Sequence, residues 1–279
     1  MPYPKFCFYS LIFFLFLLPK QHFGQSTSDT NRLYELNTLG SSIIVGVGFT
    51  TNAVGLKILD KRSEVEASDL IGLSESDVPK FERWVLNQNS NQFSTWHNRS
   101  DVVMKTSLIL PAVFLFNKRI KDQWLDYSLL YLKTQAFSAN FYTLGVPQFY
   151  RKLRPEVYYT DLSLEHRTGV RKANSFFSGH TSVTATSMFF MASVYHDLYP
   201  ERNLVLPLAV ATLTTSYVAM GRLKAGKHFL TDVLSGAIIG GAIGYLTPHF
   251  HSKKKRQNKK RDGLSLNLGY NAFVMTLSF

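Results

Sequence analysis

The sequence predicts an all-α protein: a bundle of about six mostly apolar helices set in a membrane, with a short C-terminal β-hairpin. Three observations predict it. Six long stretches are apolar, and those at Leu36–Leu56, Asn203–Gly221 and Val233–Ser252 hold no Asp, Glu, Lys or Arg over roughly the twenty residues a bilayer crossing needs. Hydrophobic residues make up 45% of the chain against 18% charged, too apolar a balance for disorder. At the end, Leu264, Leu266, Leu268 and Tyr270, then Phe273, Met275, Leu277 and Phe279, alternate around turn-forming Gly269–Asn271.

The elements follow in order. Residues 1–25 have the anatomy of a signal peptide or N-terminal anchor: Lys5, an uncharged run from Phe6 to Pro19, then Phe23-Gly24-Gln25 stepping into polar Ser26–Asp29. Either form exports the chain. Residues 26–101 hold the helix at Leu36–Leu56 and a connection, 60–101, with eight acids and five bases, expected as helical turns along the membrane surface rather than a separate domain. Residues 102–250 form the core, with further helices at Val102–Asn117, Trp124–Val146 and Thr181–Tyr195. These three are weaker spans, because Lys105, Asp126 and Lys133 interrupt the first two and the third is short and rich in Thr and Ser. A mean hydropathy of −0.04 is low for a many-pass protein, so a soluble periplasmic bundle is the competing reading. In the last helix Gly236, Gly240 and Gly244 recur every fourth residue, which opens one face to close packing. Residues 251–279 are a basic tail and the hairpin. Seven of the nine residues Lys253–Arg261 are positive, a cytoplasmic stop and a contact for anionic lipid.

The net charge of +12 asks for an anionic partner. Its distribution, concentrated in that run and in 147–172, points to membrane lipid and phosphate and away from nucleic acid. Cys7 is the single cysteine, which excludes disulfides, thiolate zinc sites and iron–sulfur clusters.

Three short clusters carry chemistry. Arg151-Lys152-Leu153-Arg154-Pro155 follows the third helix, Ser178-Gly179-His180 opens the fourth, and Arg222, His228 and Asp232 span the turn from the fifth to the sixth. Up-down connectivity brings all three to one end of the bundle. Arg154 and Arg222 offer guanidinium forks that match phosphate oxygens. Ser178 and the amides of Gly179 and His180 lie at a helix N-terminus, where unpaired N–H groups favour an anion. His228 and Asp232, four residues apart, are spaced to pair, which would fix the imidazole tautomer and free the other nitrogen to attack phosphorus. His180 would donate the proton to the leaving alkoxide. The scheme requires no metal and no cofactor.

Arg154-Pro155, Ser178-Gly179-His180 and Arg222-x5-His228-x3-Asp232 together resemble the three-part signature of the type 2 phosphatidic acid phosphatase and vanadium haloperoxidase superfamily, in its bacterial envelope phosphatase branch. The resemblance covers roughly residues 100–248. It implies a helical bundle and a phosphohistidine intermediate on His228, with Asp232 as its partner, His180 as acid and then base, and Arg154, Arg222, Ser178 and Gly179 holding phosphate. The pattern departs at Pro147, where the family has a lysine, at Phe177 and at Gly221. Arg151, three residues before Arg154 and so on the same face of a helix, or Lys152 is the candidate replacement for the missing cation.

The substrate expected is a lipid phosphate or diphosphate such as phosphatidic acid, phosphatidylglycerol phosphate, an isoprenoid diphosphate or a lipid A phosphate. A soluble phosphate ester comes second. A lipid would need a lateral opening, for which Phe189 and Phe190 are candidates, although core packing is their plainer role. A non-catalytic lipid-phosphate-binding scaffold and a vanadate-dependent haloperoxidase are the alternatives. Because the basic loop Lys118–Lys121 and the basic tail share the end opposite the motifs, the expected setting is a multi-pass inner-membrane protein with its site facing the periplasm.

Overall fold

The structure, a computed structural model, describes residues 32–252 and the strands at 265–269 and 272–276. The leader and the basic run Lys253–Arg261 lie outside the described residues. The helices are α1 Thr38–Arg62, α2 Phe93–Ile109, the short α3 Lys118–Lys121, α4 Trp124–Leu144, the short α5 Leu164–Arg167, α6 Gly179–Leu198, α7 Val205–Lys224 and α8 Leu230–His251. Strands β1 Ser265–Gly269 and β2 Ala272–Thr276 pair antiparallel, with Leu266 opposite Met275.

Six long helices match the six apolar stretches, and their ends have local causes. Asn37 caps α1 by accepting the Gly40 N–H, and Ser178 caps α6 by accepting from Thr181. Helix α2 departs most from the sequence expectation. It begins at Phe93, among polar residues, because Phe93 and Ser100 are buried. It ends at Ile109 because Pro111 cannot continue the α-helical ladder, and Leu110–Phe116 winds on as 3₁₀ helix.

Helices α1 and α4 run parallel: Gly48 meets Ala136, Thr51 Oγ1 donates to Asn140 Oδ1 at 2.8 Å and Asn52 Nδ2 to Thr143 Oγ1 at 3.1 Å. Helix α6 is antiparallel to α4, since Tyr131 lies opposite Ser187 and Ser138 opposite Ser182. Helices α6 and α8 are parallel and nearly in backbone contact. A Cβ placed on Gly236, Gly240 or Gly244 would fall 2.5, 2.1 and 2.3 Å from the carbonyl oxygens of Ser178, Ser182 and Thr186. The glycine repeat is therefore a packing device that locks the start of α8 to the start of α6.

The two ends of the bundle differ. At one, Tyr34, Ile120, Tyr127, Phe190 and Leu198 form a core, and Tyr34 bridges to Ser252. At the other, the segment 63–92 packs over the helix ends in short 3₁₀ turns, burying Val78, Val85 and Leu86 against Leu223, Phe229 and Val233. The segment is a helical connection, as expected. Its apolar residues are too few for a helix face but enough to plug the bundle end.

Among the described residues two helices, α1 and α8, are long and apolar enough to cross a membrane. Helix α7, the third charge-free stretch, is not among them. Any stretch of crossing length within the helix takes in Arg222, which with Thr212, Thr214, Thr215 and Ser216 keeps it from being apolar enough.

Candidate active site

The motif residues converge at the end covered by 63–92. His228 lies in the turn between α7 and α8, buried at 2% exposure, and its Nδ1 is 2.7 Å from the carbonyl oxygen of Ser175. A carbonyl only accepts, so Nδ1 carries the proton and Nε2 has the free lone pair. Burial, with Arg154 and Arg222 beside it, pushes the imidazole well below the ordinary histidine range, so it is neutral near pH 7.

Asp232 does not touch this imidazole in the expected way. Helix α8 begins at Leu230, so His228 precedes its cap and the four-residue helical spacing does not apply. Asp232 instead reaches back to its own helix start. One carboxylate oxygen accepts from the Phe229 N–H at 2.7 Å and the Ser175 hydroxyl at 2.6 Å, and the other accepts from Lys152 at 2.7 Å. The acid and the imidazole are thus joined through Ser175.

Arg154 donates from Nη2 to Asn174 at 3.0 Å, and Arg222, at 2% exposure, donates from Nη1 to His97 Nδ1 at 2.8 Å. The Nε of each guanidinium is buried and finds no acceptor among the described residues. Two unanswered cationic donors beside one neutral histidine are what an anionic ligand would satisfy. His180, the second residue of α6, places Nε2 2.9 Å from Asp101 of α2, which also lies 3.5 Å from Arg222. Ser178 is fully buried, and its hydroxyl oxygen is taken up in the α6 cap, accepting from the Thr181 hydroxyl at 2.9 Å. Gly179 lines the cavity with Tyr142 against it.

That cavity, about 280 Å³, is lined at its polar end by Arg154, His180 and His228. Its walls include Asn52 and Leu56 of α1, Met104 of α2, Ala139 of α4 and Val183 of α6. Neither Phe189 nor Phe190 lines it. Phe190 is fully buried in the opposite core, and Phe189 packs beside Gly241.

The proposed replacements for the missing cation point elsewhere. Arg151 is half exposed and pairs with Asp69 at 2.8 Å, and Lys152 is committed to Asp232 and to Glu82 at 3.2 Å. Sharing a helix face with Arg154 was the argument for them. The chain is not helical there: Lys152 sits in an isolated bridge with Asn174, and Pro147 is buried in a 3₁₀ turn. The additional cation at the cavity is Arg171, held in a two-pronged pair by Asp60 of α1 at 2.7 Å for each bond.

Several residues of the site went unread in the sequence. His97-x3-Asp101 has the same spacing as His228-x3-Asp232 and is the one signal for Asp101, on a stretch that otherwise reads as a connection. Ser175, Asn174 and Arg171 carry no spacing signal of their own.

A family model described as the PAP2 superfamily matches residues 127–256. Over those residues, just under half of the chain, the sequence is similar to the PAP2 superfamily, a likeness that implies phosphatase activity in general. The match takes in Arg154, Ser178, His180, Arg222, His228 and Asp232, and leaves out α1, α2 and the 63–92 segment that cover the site. Searches of curated proteins and of solved structures gave no match.

Proposed function

We propose that this protein hydrolyses a lipid phosphate through a phosphohistidine on His228. The observation that carries the reading is the pair of buried Nε donors, Arg154 and Arg222, left without acceptors beside an imidazole whose Nε2 is free. The lone pair of Nε2 attacks phosphorus as the bond to the leaving oxygen breaks, and that oxygen takes a proton from His180. Water then gives a proton back to His180 and attacks the phosphohistidine. The N–P bond breaks, its electrons return to Nε2, and inorganic phosphate leaves. Both arginines hold the charge on the equatorial oxygens. Burial and the nearby Arg222 pull the His180 pKa down to about 4, so the acid is an imidazolium that takes up its second proton, on Nδ1, with the anionic substrate and is held by Asp101 at Nε2.

A lipid fits better than a soluble ester because α1, one of the two helices suited to crossing a membrane, forms a wall of the cavity, with Leu56, Met104, Ala139 and Val183 beyond the polar end. Leu39, Ile43, Val47 and Val54 on α1 and Leu234, Ile238 and Phe250 on α8 face outward, as lipid contact requires. Ile120 and Ser252 both meet Tyr34, so the basic loop and the start of the basic tail share the end away from the site. By the positive-inside rule that end is cytoplasmic and the site faces outward.

The test is phosphate release by the purified full chain from phosphatidic acid, phosphatidylglycerol phosphate, an isoprenoid diphosphate and a soluble aryl phosphate, with His228→Ala beside it. Equal release by the two proteins would sink the assignment. Tight binding of lipid phosphate with no release by the wild type would point to a scaffold instead.

A further inference from the structure

Lys152 and Glu82 belong to no part of the phosphate site, yet both are tied to its nucleophile by an unbroken set of short contacts. Glu82, at 1% exposure, comes from the segment that plugs the bundle end, outside the family match. One of its carboxylate oxygens accepts from the Thr231 N–H at 2.9 Å and the Thr231 hydroxyl at 2.7 Å, capping the first turn of α8. The other lies 3.2 Å from the Lys152 ammonium, which also meets Asp232 at 2.7 Å and sits over the Phe229 ring. Asp232 holds the Ser175 hydroxyl, and the Lys152 carbonyl accepts the Ser175 N–H at 2.9 Å. Ser175 is thus gripped on both sides by Lys152, directly through the backbone and indirectly through Asp232. Its one remaining polar group, the carbonyl, accepts the His228 proton.

We infer that Lys152 and Glu82 are positioning residues, which fix the tautomer and aim of His228 through Asp232 and the clamped Ser175 peptide. Two buried carboxylates, Glu82 and Asp232, face each other across this ammonium, which pairs with each. Without it, Asp232 would trade the Ser175 hydroxyl for other donors, and the carbonyl that holds Nδ1–H would turn with its peptide. The reactive geometry therefore depends on a residue about 150 positions upstream of the nucleophile. The inference rests on His228 being the nucleophile.

The experiment uses the full chain in detergent with para-nitrophenyl phosphate as the probe, and compares Lys152→Met, Lys152→Arg, Glu82→Gln and, as control, Arg151→Ala. Turnover is read together with thermal unfolding and with the nitrogen resonances of ¹⁵N-histidine-labelled protein, His228 being assigned from a His228→Gln spectrum. Lys152→Met should lower kcat by about tenfold to a hundredfold, the scale of a sub-ångström to ångström misplacement. KM should stay within about twofold, since ground-state binding is untouched. Glu82→Gln should lower kcat less, Lys152→Arg should restore part of the loss, and Arg151→Ala should match wild type. In the spectra, His228 should hold a single Nδ1–H tautomer in wild type and a mixture in Lys152→Met. If Lys152→Met does not unfold cooperatively, the near-isosteric Glu82→Gln carries the comparison. An unchanged His228 tautomer in the folded variants overturns the inference, as does unchanged kcat. If the wild type releases no phosphate from this ester or from phosphatidic acid in the same detergent, the functional reading has failed on its own, and the His228 resonances still decide whether the relay exists.

Discussion

Replacing Gly236 by Ala tests whether the contact between α6 and α8 sets the catalytic geometry. The new Cβ would lie 2.5 Å from the Ser178 carbonyl oxygen, nearly an ångström inside the 3.4 Å at which ordinary contact begins. The obstacle is backbone, so neither side chain can step aside. Ser178 is the α6 cap, adjacent to Gly179 and His180, and its N–H donates to the Asp232 carbonyl at 2.9 Å. Separating the helices by that amount moves His180 away from His228. A misplacement of about 1 Å costs roughly a hundredfold in rate, and overpacking of this kind costs about 1–3 kcal/mol of stability. Gly46→Ala is the matched control, since nothing lies within 4 Å of its Cβ position in α1 and Ala is the better helix former. The assay is phosphate release and thermal unfolding of Gly236→Ala, Gly46→Ala and wild type, purified alike. A Gly236→Ala protein with wild-type kcat would refute the reasoning, whatever its melting temperature.

Other outcomes are expected from the same geometry. Arg154→Ala should raise the Kd for inorganic vanadate by about tenfold or more, because a buried charged donor to the anion is lost, whereas Arg151→Ala should leave it unchanged; equilibrium titration separates the two. Arg171→Ala should weaken binding with a smaller effect on kcat, and Asp60→Asn, which loosens the hold on Arg171, should strengthen it. The depressed pKa of His228 also has a sign for stability. Below about 6.5 the unfolded chain takes up a proton at this histidine that the folded chain refuses, so stability falls as pH falls. The melting temperature of wild type relative to His228→Asn should therefore decline from pH 7 to pH 5, and a flat difference would contradict the burial. In a Cys7→Ser background, a cysteine at Ser163 should react with a membrane-impermeant maleimide in intact cells and one at Lys121 should not.

The helices and the three motif clusters were legible because apolar runs and short-range spacing are local properties. What was not legible depends on where helices begin. The same His-x3-Asp spacing falls inside α2 for His97 and Asp101, where the side chains come within 3.8 Å, but straddles the start of α8 for His228 and Asp232, where Ser175 intervenes. The i−3 argument for Arg151 failed for the same reason, on an extended stretch where neighbours diverge. Glu82 was invisible for another cause: its partners Thr231 and Lys152 are distant in sequence, and a lone acid in a mixed-charge segment looks solvated until it is found at 1% exposure.

Helix α1 lies against α4 in parallel and lends Asn52, Leu56 and Asp60 to the cavity, although the family match begins only at residue 127. The recognisable stretch, nearly half of the chain, is therefore a shell with one side missing, and the first third supplies that side. The groups proposed to break the P–O bond and the wall proposed to choose the ester come from separate stretches of the polypeptide, with Glu82 tying the two together. Related chains could redesign α1, and with it the choice of ester, provided they keep the 63–92 segment that holds Thr231 and Lys152 in place.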